Sequence, residues 1–187
     1  MTDIYFVTSN NYKFRKFSES LSTTQFNFIQ LNETTPEIQS TNNSDVAEFS
    51  AKWASQTFNK PVICEDVGLY IDALHGFPGP YLSHIEKWIE TDGFLNLMSG
   101  VGNREAHWEY CVAFCVPGSK PVSFSTFPRG SIAYTAKGKD GWYADKIFLP
   151  ENEKLTIAEM LDLKIYKRNK DHYEKLLEYL KKEYKFS

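Results

Sequence analysis

Residues able to hold a phosphate group gather at a strand-to-helix junction near the N-terminus. Ser9 and Asn10 follow an apolar, β-branched run, and Lys13 stands three residues after Asn10. Backbone amides at a helix N-terminus, together with a nearby ammonium group, favour the binding of a phosphate. The alternative interpretation of the same residues is an Asn or Ser helix cap followed by a solvated lysine.

An acidic pair, Glu65 and Asp66, directly follows the apolar run 61–64. Two adjacent carboxylates on an extended backbone point apart, so one can meet a metal ion or a water while the other meets a partner group. Carboxylates at the carboxyl end of a strand lie where open α/β sheets bind their ligands. Acidic residues are common at strand ends, so a chance arrangement is the alternative.

The first half of the chain is predicted to alternate between strands and helices. The predicted elements are strands over 4–7, 26–31 and 61–64, a helix over 12–21 and a polar loop over 32–43. A second helix begins near Asp45, where Glu48 completes a capping box. Val46, Phe49 and Trp53 are predicted to face the core. This order of elements is typical of an α/β fold.

The second half is predicted to contain more antiparallel strands. The predicted elements are a turn-rich connection over 68–80, helices over 81–90 and 93–98, strands over 107–116 and 122–127, a polar loop containing Gly138, Gly141 and Asp145, and a helix over 171–184. The sequence Pro117-Gly118-Ser119-Lys120 between the two strands is typical of a β-hairpin. The last helix carries Tyr173, Leu176, Leu177 and Leu180 on one apolar stripe. We therefore expect a mixed sheet.

Length and composition restrict the possible classes of protein. The 187 residues, of which 42% are hydrophobic, predict one domain over 1–187, built as two packed lobes without a separable linker. With 24 acidic against 21 basic residues, the net charge of −3 gives no general attraction for nucleic acid, and we expect no nucleic-acid partner. No apolar stretch approaches the roughly 20 residues that span a bilayer, and the N-terminus does not resemble a signal peptide. These features predict a cytoplasmic protein with no membrane partner.

The cysteine content predicts buried structural thiols. The chain has three cysteines, Cys64, Cys111 and Cys115. An odd number in a chain of this size argues against a disulfide framework. Cys111 and Cys115 are placed to share one face of a strand, but no further Cys or His pair completes a zinc site.

Three motifs taken together resemble the inosine triphosphate pyrophosphatase family of Ham1-type nucleotidases. The motifs are TSNNYK at 8–13, EDVGLYIDALHGFPGPY at 65–81, and GWYADKIFLP at 141–150 followed by TIAEM at 156–160. The segment 65–81 is the most specific, and the resemblance extends in order from residue 4 to about residue 160. It implies an elongated, two-lobed, mixed-sheet α/β fold with a nucleotide cleft between the lobes. It also implies magnesium-dependent hydrolysis of ITP, dITP or XTP to the monophosphate and pyrophosphate.

The resemblance implies a role for each matching residue. The implied phosphate ligands are Ser9, Asn10, Lys13 and Lys52, and the implied Mg²⁺ carboxylates are Glu37, Glu65 and Asp66. Asp66 would orient or deprotonate the attacking water, with Glu65 beside it in the outer shell of the metal. Trp142 would stack on the base, and Asp145 would meet the sugar or the base edge.

The sequence departs from the family pattern at three places that bear on the site. Lys16 stands where the family carries a glutamate. Its ammonium group can neutralise phosphate charge but cannot bind Mg²⁺. The alternative is that the Lys16 side chain points to solvent. The family's Ser-His-Arg motif, which reads the purine 6-oxo group, is replaced by residues 167–172. Either Arg168 or His172 substitutes for it, or this segment is a charged helix start capped by Asp171. In the base loop, Tyr143 also replaces a family glycine.

Two functional hypotheses follow. In the first, the chain is a pyrophosphohydrolase with altered base selectivity. In the second, it is a (d)ITP sensor with weakened or lost hydrolysis that signals to a partner protein in stress or antiviral defence. The first predicts a homodimer, as in the family, and the second a complex with a larger effector protein. A structural relic that neither binds nor hydrolyses nucleotides is a third alternative, which the retained phosphate residues argue against.

Overall fold

In a computed structural model of the chain, residues 2–21 and 26–184 are described, and they form two compact units. The first unit extends to Asp66 and adds Tyr110–Thr126 and the segment from Lys170 onward; the second comprises Val67–Glu109 and Phe127–Asn169. That the chain folds as one domain stays a prediction.

The described elements alternate between strands and helices, as an α/β fold requires. The strands are β1 Thr2–Val7, β2 Phe26–Leu31, β3 Val62–Ile71, β4 Pro78–Gly79, β5 Glu105–Cys115, β6 Val122–Thr126, β7 Arg129–Ile132 and β8 Phe148–Pro150. The helices are α1 Asn11–Ser20, α2 Asn43–Phe58, α3 Leu82–Leu97, α4 Ile157–Asp162 and α5 Asp171–Glu183, with short 3-10 helices at Asp72–Leu74 and Ala144–Lys146. Among the described residues, no helix combines the length and hydrophobicity needed to cross a bilayer.

The first unit is a mixed sheet with helices on both faces. Strand β1 pairs in parallel with β2 and with the start of β3, and the second half of β5 pairs antiparallel with β6. Because side chains alternate across a strand, β1 and β5 each supply two separate clusters. The larger cluster consists of Ile4, Phe6, Phe17, Leu21, Phe26, Ile63, Val112, Phe114, Tyr173, Leu176 and Leu180. The smaller consists of Val7, Ala47, Ala51, Ala54, Val62, Cys64, Cys111, Ala113 and Cys115.

Small residues and rings determine how the helices of the first unit pack. On one face, the Phe17 ring of α1 lies 4.5 Å from the Phe6 ring and 5.3 Å from the Tyr173 ring of α5, measured between centroids. On the other face, the alanines of α2 allow that helix to approach β1, β3 and β5 closely. The three cysteines are free and buried, which confirms the prediction of structural thiols.

The second unit is built on the other halves of β3 and β5. The end of β3 pairs antiparallel with β4, the start of β5 pairs with β7, and β7 pairs with β8. Helix α3 contains one residue with non-helical geometry, Glu90, at φ +51° and ψ −165°. Its two straight segments correspond to the helices predicted over 81–90 and 93–98. The predicted hairpin is also confirmed, as β5 and β6.

Several local predictions were wrong. The acidic pair does not end a strand, because β3 continues to Ile71 through buried residues that pair with β4. Gly68 therefore lies in a strand instead of a turn. Helix α2 begins at Asn43 without a side-chain cap, and Glu48 accepts a hydrogen bond from Ser123 instead of completing a capping box. The Phe49 side chain, predicted to face the core, is 38% exposed.

Candidate functional site

Asn10 caps the helix that follows the first strand. Its Oδ1 accepts hydrogen bonds from the backbone N–H of Tyr12 at 2.9 Å and of Lys13 at 3.2 Å. The N–H of Asn10 in turn donates to Thr8 Oγ1 at 3.1 Å. The interpretation of Asn10 as a helix cap is confirmed. The cap uses the carboxamide oxygen, so the remaining donor of this side chain is Nδ2.

Lys13 lies close enough to β3 to influence it electrostatically. Burial, followed by Cys115, raises the pKa of the Cys64 thiol to about 12, whereas the Lys13 ammonium acts in the opposite direction. Cys64 immediately precedes Glu65 in β3. The positive charge of Lys13 is therefore felt on the strand that carries the acidic pair.

The acidic pair is held by donors from two different helices. The Nδ2 of Asn43, at the start of α2, donates to Asp66 Oδ2 at 2.6 Å. The Tyr173 hydroxyl, on α5, donates to Glu65 Oε2. Asn43 is 0% exposed and Tyr173 is buried, so both donors are themselves fixed by packing. Each carboxylate thus has one oxygen held in a defined orientation.

Asn43 and Tyr173 are site residues that the sequence analysis missed. Tyr173 was assigned to the core stripe of the last helix, where its ring does lie, but nothing local indicates the partner of its hydroxyl. Asn43 was placed at the end of a polar loop. A buried Asn at a helix start requires a polar partner, and that requirement was the available signal.

The other residues predicted to bind phosphate or metal lie on the surface of the first unit. Ser9, Glu37 and Lys52 are exposed. Among residues 2–21 and 26–184, no group of three or more His, Cys, Asp or Glu side chains is arranged to hold a metal ion. The structure does not bring Glu37 to Glu65 or Asp66, and the side chains of these two neighbours point to opposite faces of β3.

The acidic pair nevertheless suits Mg²⁺. This ion prefers hard oxygen ligands and is commonly bound by one or two carboxylates, with waters and substrate phosphates completing the octahedron. Glu65 and Asp66 are such carboxylates, and because their side chains point to opposite faces of β3, one ion would contact one of them directly. The residues present fit a magnesium ion that arrives with a triphosphate.

Lys16 is engaged on its own helix. Its Nζ donates to Glu19 Oε2 at 2.9 Å and lies 5.7 Å from the centre of the Tyr12 ring. Lys16 and Arg15 together lower the pKa of the exposed Glu19 carboxyl. Of the two interpretations of Lys16, the structure favours a surface role over direct neutralisation of phosphate.

In the second unit, three of the predicted base-binding residues form one group, here called the Trp142 cluster: Trp142, Asp145 and Arg168. Asp145 Oδ2 accepts from the Trp142 N–H at 2.8 Å, and the Asp145 N–H donates to the Trp142 carbonyl at 3.1 Å. The Arg168 guanidinium carbon lies 5.8 Å from the centre of the Trp142 ring, within cation–π range.

The carboxyl of Asp145 is central to this cluster and is only 5% exposed. Burial raises its pKa, while the Trp142 N–H and the positive charge of Arg168 act in the lowering direction. Gly141 makes the tight turn possible: its φ is +92°, and a Cβ there would lie 2.6 Å from Asp145 Oδ2. An aromatic face, a buried carboxyl and a guanidinium are the groups that stack on a heterocycle and bond to its edge.

His172, the fourth residue predicted to bind base or sugar, lies in the first unit. Its ring is 1% exposed, stacks on Tyr110 with centroids 5.6 Å apart, and also contacts Tyr173. Contact with a nucleotide would require the ring to leave this packing, so Arg168 is the better placed of the two candidates. Asp171 is the first residue of α5, after Lys170 at the N-cap, and does not cap the helix as predicted.

Comparison with known proteins identifies the family. A sequence model of the Ham1 family matches residues 4–183. The chain belongs to the Ham1 family. It is 36% identical to a dITP/XTP pyrophosphatase of Methanopyrus kandleri over 157 residues, covering 84% of each chain. It is 39% identical to a protein of the same name from Thermococcus kodakarensis, covering 83% of each.

Solved structures of Ham1 proteins share the fold. A HAM1 protein from Coxiella burnetii aligns with a TM-score of 0.83 at 23% identity, covering 97% of this chain and 99% of the other. The Staphylococcus aureus Ham1 protein aligns with a TM-score of 0.78 at 22% identity, covering 98% and 100%. These matches confirm the predicted mixed-sheet α/β fold of the family. The predicted homodimer and the alternative effector complex stay predictions.

Proposed function

We propose that this chain hydrolyses non-canonical purine nucleoside triphosphates, of the dITP, ITP and XTP class, to the monophosphate and pyrophosphate. The relatives named above as dITP/XTP pyrophosphatases support this activity. The structural observation that carries it is the acidic pair Glu65 and Asp66, each carboxylate oriented by a buried donor from a different helix.

Asp66 is the proposed base or orienting group for the attacking water. Asn43 fixes the orientation of this carboxylate, which would accept a proton or a hydrogen bond from the water. Water adds to phosphorus, the bond between the α- and β-phosphates breaks, pyrophosphate leaves, and the water proton passes to Asp66. Holding the carboxylate in one orientation increases the fraction of molecules in a productive geometry.

The triphosphate of the nucleotide is proposed to bind at the N-terminus of α1, where nearby side chains supply positive charge. Ser9 and Asn10 stand at the helix start, where backbone N–H groups attract anions, and Lys13 and Lys52 supply positive charge. Mg²⁺, bound by Asp66 with Glu65 in its outer shell, would neutralise phosphate charge when present. The Trp142 cluster is the proposed site for the base, through stacking on Trp142 and hydrogen bonds to Asp145 or Arg168.

Pyrophosphate release tests the proposal directly. The wild-type chain is assayed with ITP, dITP, XTP, ATP and GTP, with Mg²⁺ and with excess chelator. We expect turnover of the first three, loss of turnover with chelator, and a 100-fold or greater loss of kcat in Asp66→Asn, the order of magnitude of general-base catalysis. Asp92→Asn, which changes an exposed aspartate of α3, is the matched control and should retain full activity.

Calorimetry on the same samples separates failure of chemistry from failure of binding. Asp66→Asn should still bind ITP, because the substitution retains the shape of the side chain. If the wild-type chain binds dITP or ITP and releases no pyrophosphate from any of the five nucleotides, the hydrolase proposal is wrong. The sensor hypothesis would then be the better description of the chain.

A further inference from the structure

Helix α3 packs against the loop of the Trp142 cluster and carries a further carboxyl, that of Glu86. The hydroxyl of Thr91, in the second segment of α3, donates to the carbonyl of Tyr143 at 3.0 Å. This bond fixes the helix against the loop between Trp142 and Asp145. Glu86 lies in the first segment of α3. It was not among the site residues predicted from the sequence.

The Glu86 side chain is half-buried, and its Oε2 is sealed from solvent. Within the described part of the chain, no residue donates a hydrogen bond to this oxygen. A buried carboxylate oxygen without a donor is costly, because the water that would have solvated it has been removed. The last torsion of a glutamate side chain is soft, so the carboxyl group can rotate and present an oxygen to a bound molecule.

The charges around Glu86 increase this cost. Burial, followed by the negative charge of Asp145, raises its pKa to about 7, while the neighbouring Lys87 acts in the lowering direction. The carboxyls of Glu86 and Asp145 therefore influence each other electrostatically. A ligand with an N–H donor at this position would give Glu86 Oε2 the hydrogen bond that no described residue supplies. No hydrogen bond from those residues to this oxygen would have to break.

Purine bases differ in the N–H donors on their edges. Hypoxanthine, xanthine and guanine carry a hydrogen on N1, whereas N1 of adenine is an acceptor. A carboxylate oxygen therefore attracts the N1–H of an oxopurine and repels the N1 lone pair of adenine. We propose that Glu86 is a specificity-determining residue that accepts a hydrogen bond from the N1–H of a purine bound at the Trp142 cluster. This inference rests on the proposed function, since it assigns the base to that cluster.

The hydrogen bond between Glu86 and N1–H is tested by a cycle in which the substrate and the protein are each changed in turn. The kcat/KM is measured for ITP and for N1-methylinosine triphosphate, which lacks the N1 hydrogen, on wild type and on Glu86→Ala. The wild-type chain should prefer ITP by about 10- to 100-fold, the effect of one hydrogen bond to a charged group. In Glu86→Ala, the preference should fall to within about 3-fold, because the partner of the hydrogen is gone.

Glu90→Ala is the matched control, because it removes an exposed glutamate from the same helix and should keep the wild-type ratio. Glu86→Gln retains an acceptor oxygen without charge and should give an intermediate ratio; it also replaces the alanine variant if that variant does not fold. An unchanged preference in both Glu86 variants would overturn the inference.

The two proposals fail in different ways. Turnover of ITP with no effect of Glu86 on the ratio refutes only the N1–H contact. If the chain binds ITP without turnover, the same cycle is carried out on dissociation constants, and Glu86 is still tested although the hydrolase proposal has failed. If it neither binds nor hydrolyses ITP or its N1-methyl derivative, both proposals are wrong.

Discussion

Replacement of Glu86 by glutamine should stabilise the protein at high pH and not at low pH. The pKa of this carboxyl is raised from its ordinary 4.5 to about 7, so the folded state holds the proton more tightly than the unfolded state does. Stability is therefore greatest while the carboxyl is protonated, and it is lost as the pH rises from 4.5 through 7. Glutamine is uncharged throughout and avoids this loss.

The size of the effect follows from the same pKa. Each pKa unit corresponds to about 1.4 kcal/mol, but the side chain is only half-buried, and solvent screening reduces the full value. We expect Glu86→Gln to raise the free energy of unfolding at pH 8 by about 1 to 2 kcal/mol. For a chain of this size, that is an increase in Tm of roughly 2 to 8 °C. At pH 4.5, the two proteins should have nearly equal Tm.

Thermal unfolding followed by circular dichroism at several pH values between 4.5 and 8 measures this difference. Other groups titrate over the same range, but they are common to both proteins and cancel when the two Tm values are subtracted. Glu90→Gln, which neutralises an exposed glutamate of the same helix, is the control and should show no such rise with pH. A Glu86→Gln effect that is equal at pH 4.5 and pH 8, or destabilising at pH 8, would refute the reasoning.

Three further substitutions test other parts of the structure. Tyr173→Phe removes the hydroxyl that orients Glu65 and should lower kcat about 10-fold with little change in KM, because one hydrogen bond to this carboxylate is lost; an equal rise in KM would contradict this. Glu90→Gly should raise the free energy of unfolding in urea by about 1 kcal/mol, because the residue has φ +51°, whereas Glu90→Ala should give no gain. Gly141→Ala should lower that free energy by about 2 kcal/mol or more, because the new methyl group overlaps Asp145; unchanged stability would show that the loop relaxes freely.

Elements defined by local periodicity were predicted from the sequence. The alternation over residues 107–116 and 122–127 and the stripe that includes Leu176 and Leu180 correspond to β5, β6 and α5. Both patterns repeat several times, so a single atypical residue does not hide them. The extent of β3 was underestimated because Gly68 and the acidic pair interrupt its apolar run. In the structure, Val67, Leu69 and Ile71 are buried, and this alternation continues the strand.

Contacts between residues distant in sequence explain the errors at the site. The capping box at Glu48 satisfied a local pattern, but Ser123, 75 residues away, donates to that carboxylate. The donors that orient the acidic pair, Asn43 and Tyr173, stand 23 and 108 residues from their partners. Sequence spacing indicates which residue types are available, but it does not indicate which side chains the packed helices bring together.

The division of the site residues between the two units gives each group a separate measurable effect. The acidic pair and its donors belong to the first unit, whereas the Trp142 cluster and Glu86 belong to the second. Changes at Asp66 or Tyr173 should therefore reduce turnover of every accepted purine by a similar factor, since they act on the reacting phosphates. Changes at Glu86 should alter the ratio between purines, since only the bases differ.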